Sequence, residues 1–282
     1  MKRKEKTEKR SELSGKKKLA VWLCVIVICG VFCVINNNLL TVTEYSFTDS
    51  RIKNDFTIVQ ISDLHNARFG KDNRRLIEKI RQLSPDIIAV TGDIVDSGHT
   101  NIDTAVSFCH KAAEICPVYY ITGNHEHWLS DEDEEKLYSG IRDSGAVILN
   151  DEITDISVNG NMTELCGLDD ESLYNDTIFK LEKDFDRSLP IILLAHEPQY
   201  FSDYCKAAPD LVLTGHAHGG QVRLPFIGGL VAPDQGFFPK YYEGEFISGS
   251  THMIISRGLG NSVIPVRVFD PPEIVCVRCS GK

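Results

Sequence analysis

The chain has no internal repeat, and outside its first eighteen residues it has no low-complexity stretch, so repeat architectures and extensive disorder are excluded. It has only one CxxC, Cys276-x-x-Cys279. Without a second such pair, and within an apolar alternation, that motif predicts a strand rather than a zinc or redox site. The other cysteines are scattered or, like Cys24, Cys29 and Cys33, lie in an apolar run where they act as small hydrophobes. Positive charge is also scarce past residue 18. Residues 1–18 hold nine Lys/Arg against three Glu, and removing that +6 from the overall −10 leaves −16 for the rest. A chain of that sign is not expected to bind nucleic acid.

Charge is absent altogether from residues 19–35. A seventeen-residue apolar run after Lys16-Lys17-Lys18 predicts a membrane-inserted helix. Signal peptide and retained anchor are the two alternatives. Asn36-Asn37-Asn38 stands where a small-x-small cleavage pattern would be, and no twin-arginine pair precedes the run, so retention is expected. The expected order is a basic cytoplasmic tail (1–18), a signal anchor (19–36), a linker with a first strand region (37–54) and a catalytic domain (55–282). The basic flank predicts a single-pass cell-membrane protein with its N-terminus cytoplasmic and its domain on the far side.

The remainder, with 42% apolar residues overall, can bury a large core. Short runs rich in Val, Ile and Tyr at 56–61, 87–91 and 118–121 alternate with helical spacing at 73–83 and 103–113. Further strands are expected at 146–149, 153–158, 191–194, 211–213, 253–256 and 273–277. Ser130 before Asp131-Glu132-Asp133-Glu134-Glu135 predicts an N-cap and a helix to about residue 144 rather than a cation site. Strands follow one another more closely in the second half, which predicts mixed sheets. The fold class is α/β, a four-layer α/β/β/α sandwich with two mixed sheets behind one N-terminal transmembrane helix.

Each apolar run ends in polar residues, and strand ends in an α/β sheet converge on one crevice. The first delivers Asp63 and His65, the second Asp93 and Asp96, and the third Asn124, His125 and Glu126. Later runs deliver His196, then His216 and His218. The i, i+2 spacing of Asp63 with His65, and of His216 with His218, in extended backbone would turn both members to one side. Any one of these residues alone is a turn former or a structural histidine. Five such segments in this order predict a metal site, and imidazole beside Asp and Asn suits Mn, Fe or Zn better than Ca or Mg.

The ordered pattern D-x-H, G-D-x-x-D, G-N-H-[DE], H and G-H-x-H resembles the calcineurin-like metallophosphoesterase superfamily, over about residues 55–279. The wording from Gly215 to Pro225 and Ser256-Arg257-Gly258-Leu259-Gly260 resembles its bacterial membrane-associated or exported branch. Members of that branch act on phosphodiesters and, in some bacteria, on a lipid-linked UDP-sugar pyrophosphate. The resemblance implies two metal ions. Asp63, His65, Asp93 and His218 would hold one, and Asp93 would bridge to a second held by Asn124, His196 and His216. It also implies that His125 faces the leaving group, with Asp96 as its hydrogen-bond partner. Glu126 stands where many relatives have Asp.

Two cations of this kind activate a bridging water and clamp the phosphoryl oxygens for in-line attack. The expected activity is hydrolysis of a phosphodiester, small-molecule or lipid-linked, including pyrophosphates. A phosphomonoesterase or protein phosphatase shares every ligand, and a catalytically silent membrane-tethered metal-binding module is the alternative of another class. Arg68, Gln221, Arg223 and Arg257, near the motifs, are the candidate substrate contacts. The aromatic cluster Phe237, Phe238, Tyr241 and Tyr242 is expected to pack in the core, the alternative being an apolar substrate wall or a membrane-facing lip.

Overall fold

The computed structural model describes residues 2–261 and 266–281. Met1 and the side chains of residues 2–15, most of the basic tail, lie outside the described part. In chain order the elements are α1 (Lys2–Asn38), β1 (Thr41–Thr48), β2 (Phe56–Ile61), α2 (Arg74–Gln82), β3 (Ile87–Thr91), α3 (Ile102–Ala113), β4 (Val118–Ile121), α4 (Asn124–His127), α5 (Asp131–Asp143), β5 (Val147–Ile148), β6 (Glu152–Val158) and β7 (Asn161–Gly167). There follow α6 (Thr177–Leu181), β8 (Ile191–Leu194), α7 (Phe201–Ala207), β9 (Leu211–Thr214), β10 (Arg223–Leu224), β11 (Gly228–Gly229), β12 (Val231–Ala232), β13 (Gly236–Phe237), β14 (Gly244–Ser248), β15 (Thr251–Ile255) and β16 (Glu273–Ser280).

Two six-stranded sheets form, in the orders β1-β16-β2-β3-β4-β5 and β14-β15-β9-β8-β7-β6. Both are mixed: β2, β3, β4 and β5 run parallel beside an antiparallel β16, while β7, β8, β9 and β15 run parallel between antiparallel β6 and β14. The period-two direction of strand side chains sorts the core into layers. Ile58, Ile87 and Ala89 of the first sheet meet Ile192, Leu194 and Leu213 of the second between the sheets. Val59, Ile88 and Val90 face outward to Leu76, Phe108 and Ile141 of α2, α3 and α5. Ile191, Leu193 and Val212 face Ile178, Phe201 and Tyr204 of α6 and α7. This is the four-layer arrangement.

Within 37–54, β1 pairs with β16 in parallel along its whole length. Cys276 and Cys279 lie in β16 on opposite faces, one packed against the helices and the other between the sheets, so they form no chelating pair. Ser130 caps α5, its Oγ accepting from Asp133 N at 3.3 Å. The aromatic cluster divides: Tyr241 and Tyr242 pack against the outer core, whereas Phe237 and Phe238 are exposed. In α1, residues Lys16–Asn38 are long and apolar enough to cross a membrane and almost entirely unburied.

Candidate metal centre

The carboxyl ends of β2, β3 and β4 meet those of β8 and β9, and the polar residues that follow them converge. Asp63, His65, Asp93 and His218 offer ligand atoms within 4.8 Å of one another, and so do Asp93, His196 and His216. The two groups share Asp93. His196 Nε2 lies 3.3 Å and His65 Nε2 3.4 Å from Asp93 Oδ2. Asn124 Oδ1 is 3.0 Å and His196 Nε2 3.2 Å from His216 Nδ1. All six of the acidic and imidazole groups are buried.

The route to this convergence differs from the extended-backbone expectation. Asp63, His65, Asp93, His216 and His218 all have positive φ, between 42° and 63°, in turns beyond the strand ends. Left-handed backbone at residues with a Cβ persists only where the surroundings over-determine it. Here they do. Asp63 N donates to Gly92 O at 3.1 Å, His65 N to Asp93 O at 3.0 Å, and His216 N to Asp63 Oδ1 at 3.0 Å. Glu126, fully buried, accepts from Asp93 N and Ile94 N at 2.9 Å and from Gly123 N at 2.8 Å, so one carboxylate clamps two of the motif loops together. Burial and the Asp93 charge push Glu126 up to about 7. Gly215 admits the close approach, because a Cβ there would sit 1.9 Å from Ser62 Oγ and 2.4 Å from Asp63 Oδ2.

Tautomers are fixed from behind. His196 Nδ1 lies 2.8 Å from Thr91 O, and a carbonyl only accepts, so Nδ1 holds a proton and Nε2 is the atom turned inward, toward Asp93. His216 Nε2 is 2.9 Å from Asp234 Oδ2, which leaves Nδ1 as the inward lone pair. His65 Nε2 and His218 Nε2 face each other at 3.2 Å. Burial pushes both imidazoles below their usual range, His218 further because His65 and the buried Arg267 stand beside it. Burial opposes charge on Asp93 and His196, yet their pairing drives Asp93 well below and His196 well above the ordinary values. The neutral imidazoles of His65 and His218, with His65 Nδ1 unpartnered behind them, join His196, His216 and the buried carboxylates in a donor set that fits borderline divalent cations.

The cleft over this centre, about 440 Å³, is lined by Asp93, Asn124, His125, His216 and His218, by the aromatics Trp128 and Tyr174, and by Asp170, Glu171, Glu197 and Asp234. His125 Nδ1 accepts the Ser97 N–H at 3.1 Å. Asp96 does not hydrogen-bond His125 as expected: its carboxylate is 3.9 Å away and instead accepts from Gly98 N at 2.8 Å, capping the turn that carries Ser97.

Arg68, Gln221, Arg223 and Arg257 do not line this cleft. Arg68 donates to Thr104 Oγ1 at 3.0 Å beside a different cavity. Arg257 is held by Glu273 at 3.0 Å and Arg223 by Glu243, so their charge is committed to the fold. Gln221 is buried in a positive-φ turn. Sequence reading passed over Asp234, Asp170, Glu197 and Arg267. Asp234 lies in a Pro-Asp-Gln turn with no motif around it, and the other three carry their meaning only through tertiary neighbours.

The family model for calcineurin-like phosphoesterases matches residues 56–220. The uncharacterized metallophosphoesterase YkuE of Bacillus subtilis is 33% identical over 84% of this chain and 84% of its own. Another, Cj0846 of Campylobacter jejuni, is 30% identical over 92% of this chain and 69% of its own. A transmembrane protein with metallophosphoesterase domain from Danio rerio is 28% identical over 78% of this chain and 52% of its own. With this match and with the motif loops gathered at one crevice, the chain belongs to the calcineurin-like phosphoesterases, a family of dimetal-dependent hydrolases of phosphate esters.

Proposed function

We propose that this phosphoesterase cleaves phosphodiesters, lipid-linked diesters and pyrophosphates among them, at a centre where Asp63, His65, Asp93 and His218 hold one cation and Asp93, Asn124, His196 and His216 a second. The cleft wall carries the diester reading. It presents Asp170, Glu171, Glu197 and Asp234, and no Lys or Arg is among the described residues that line it. A monoester dianion brings a second negative charge toward those carboxylates, whereas a diester brings one per phosphoryl group.

Mn, Fe or Zn bound there would supply Lewis acidity and neutralise the phosphoryl charge. The remaining work belongs to the chain. Thr91 O and Asp234 orient His196 and His216, and Glu126 fixes the Asp93 loop. Because Ser97 N–H occupies His125 Nδ1, the neutral ring carries its proton on Nε2, and that N–H donates to the leaving-group oxygen as charge develops on it. Full proton transfer requires the ring first to take a second proton, from solvent, on Nδ1, where the Asp96 carboxylate, 3.9 Å away, would accept that N–H in place of the Ser97 contact. Trp128, tilted against His125 at 4.8 Å, and Tyr174 offer apolar walls to the group beyond the scissile bond.

In this reading α1 is a retained signal anchor at 19–36, with the basic tail 1–18 cytoplasmic and the catalytic domain, 55–282, on the other side. The test compares initial rates of the full chain in detergent micelles on an aryl phosphodiester and the matching monoester, with Mn added. The diester should be cleaved faster by about tenfold or more, and a faster monoester would reverse the assignment.

A further inference from the structure

We propose that the catalytic domain docks onto the bilayer holding α1, through Phe269 and the tip of the β10–β11 hairpin, an inference that rests on α1 being a membrane span. Contacts between α1 and the domain supply the depth scale. Asn38 O accepts from Arg75 Nη2 at 3.1 Å, and Asn37 Oδ1 accepts from Asn261 Nδ2 at 2.7 Å. Six residues earlier, Phe32 packs on Phe269 with ring centroids 4.9 Å apart. At about 1.5 Å of rise per residue, Phe32 lies roughly 9 Å further into the membrane than Asn38. Polar contacts therefore sit at the helix end and the aromatic contact sits deeper. That is the order of a bilayer interface, and it carries Phe269, a residue of the domain, to acyl-chain depth.

The hairpin continues this surface. Phe269 shares a concavity of about 480 Å³ with Leu224, Pro225, Phe226 and Ile227. Phe226 is fully exposed, Ile227 is 57% exposed, and Phe226 has φ +69°, an unfavourable backbone for an aromatic held out from the chain. The charge at the hairpin base is committed, Arg223 being paired with Glu243. An apolar tip flanked by a paired charge, beside a membrane helix, matches the chemistry of acyl chains. The surface is tied to the centre at two places: the hairpin opens five residues after His218, and Arg267, two residues before Phe269, lies 3.4 Å from His218 Nδ1.

The test is depth-dependent quenching in the full chain, reconstituted in phosphatidylcholine vesicles with bromine on the acyl chains. The native indoles are Trp22, in the apolar run, and Trp128 in the cleft. With Trp128→Phe alone, Trp22 reports on the span. With Trp22→Phe and Trp128→Phe, the single indole introduced by Phe226→Trp, or in a second variant by Ile227→Trp, reports on the tip. Val147→Trp, on β5 at the sheet edge opposite β1, serves as the soluble control. The tip indoles should be blue-shifted and quenched at least roughly half as strongly as Trp22, with the control unquenched. Quenched Trp22 with unquenched tip indoles overturns the docking alone, and is also the result expected if a second copy of the chain covers the hairpin. Unquenched Trp22 overturns the membrane span as well.

Discussion

The two sheets bring different chemistry to the same crevice. The loops after β2, β3 and β4 supply the carboxylates and the amide, Asp63, Asp93 and Asn124, whereas those after β8 and β9 supply three of the four imidazoles, His196, His216 and His218. The first set is held by backbone: strained turns, a shared clamp in Glu126, and N–H groups from the opposite loops. Two imidazoles of the second set are held by single acceptors behind them, Thr91 O and Asp234. Charge and orientation are thus divided between the halves. Loss of a shared charge should be close to all-or-none, while loss of one orienting group should be graded.

Asp93→Ala breaks the comparison at its common point, since both clusters include that carboxylate. Diesterase activity should fall by about a thousandfold or more, with metal content dropping from two ions toward fewer by elemental analysis. A variant that keeps both activity and metal would remove Asp93 from the centre. Asp234→Asn sharpens the comparison from the other side. The amide oxygen can still accept from His216 Nε2 but without charge, so activity or metal affinity should fall only about ten- to a hundredfold. An effect as large as that of Asp93→Ala would mean that orientation and charge are not separable here.

The same division explains what could be read from the chain without its structure. Ligand candidates sit in local wording after apolar runs, and β2, β3, β4 and β8 begin and end where the runs do. Pairings set by distant partners are not local. β1 finds β16 some 230 residues away, and β16 enters between β1 and β2, parallel to β1 and antiparallel to β2. Nor does a D-x-H spacing reveal left-handed backbone, because extended and αL turns share the same letters, and only the opposing N–H groups decide between them. Asp234 carries no motif at all. Phe237 and Phe238 look like core residues by composition and are solvent-facing in a short hairpin.

The smallest expected effect concerns whether the halves are coupled. His127, in α4 after β4, meets Asp169, which follows β7 of the other sheet, at 2.9 Å. Burial opposes charge on His127, but the close Asp169 carboxylate and the charges of Glu171 and Asp170 override it and raise the imidazole to about 9. A folded value above the unfolded 6.5 means that the pair's contribution is fully present below about pH 6.5 and is lost as pH rises through about 9. After discounting for partial exposure, it should amount to about 1–2 kcal/mol. His127→Gln removes the charge and keeps a polar side chain. In urea denaturation followed through Trp128, the gap between wild type and this variant should be widest near about pH 6 and close by about pH 9.5. A gap that stays constant across that window would leave packing, not the ion pair, as what joins the two halves across the cleft.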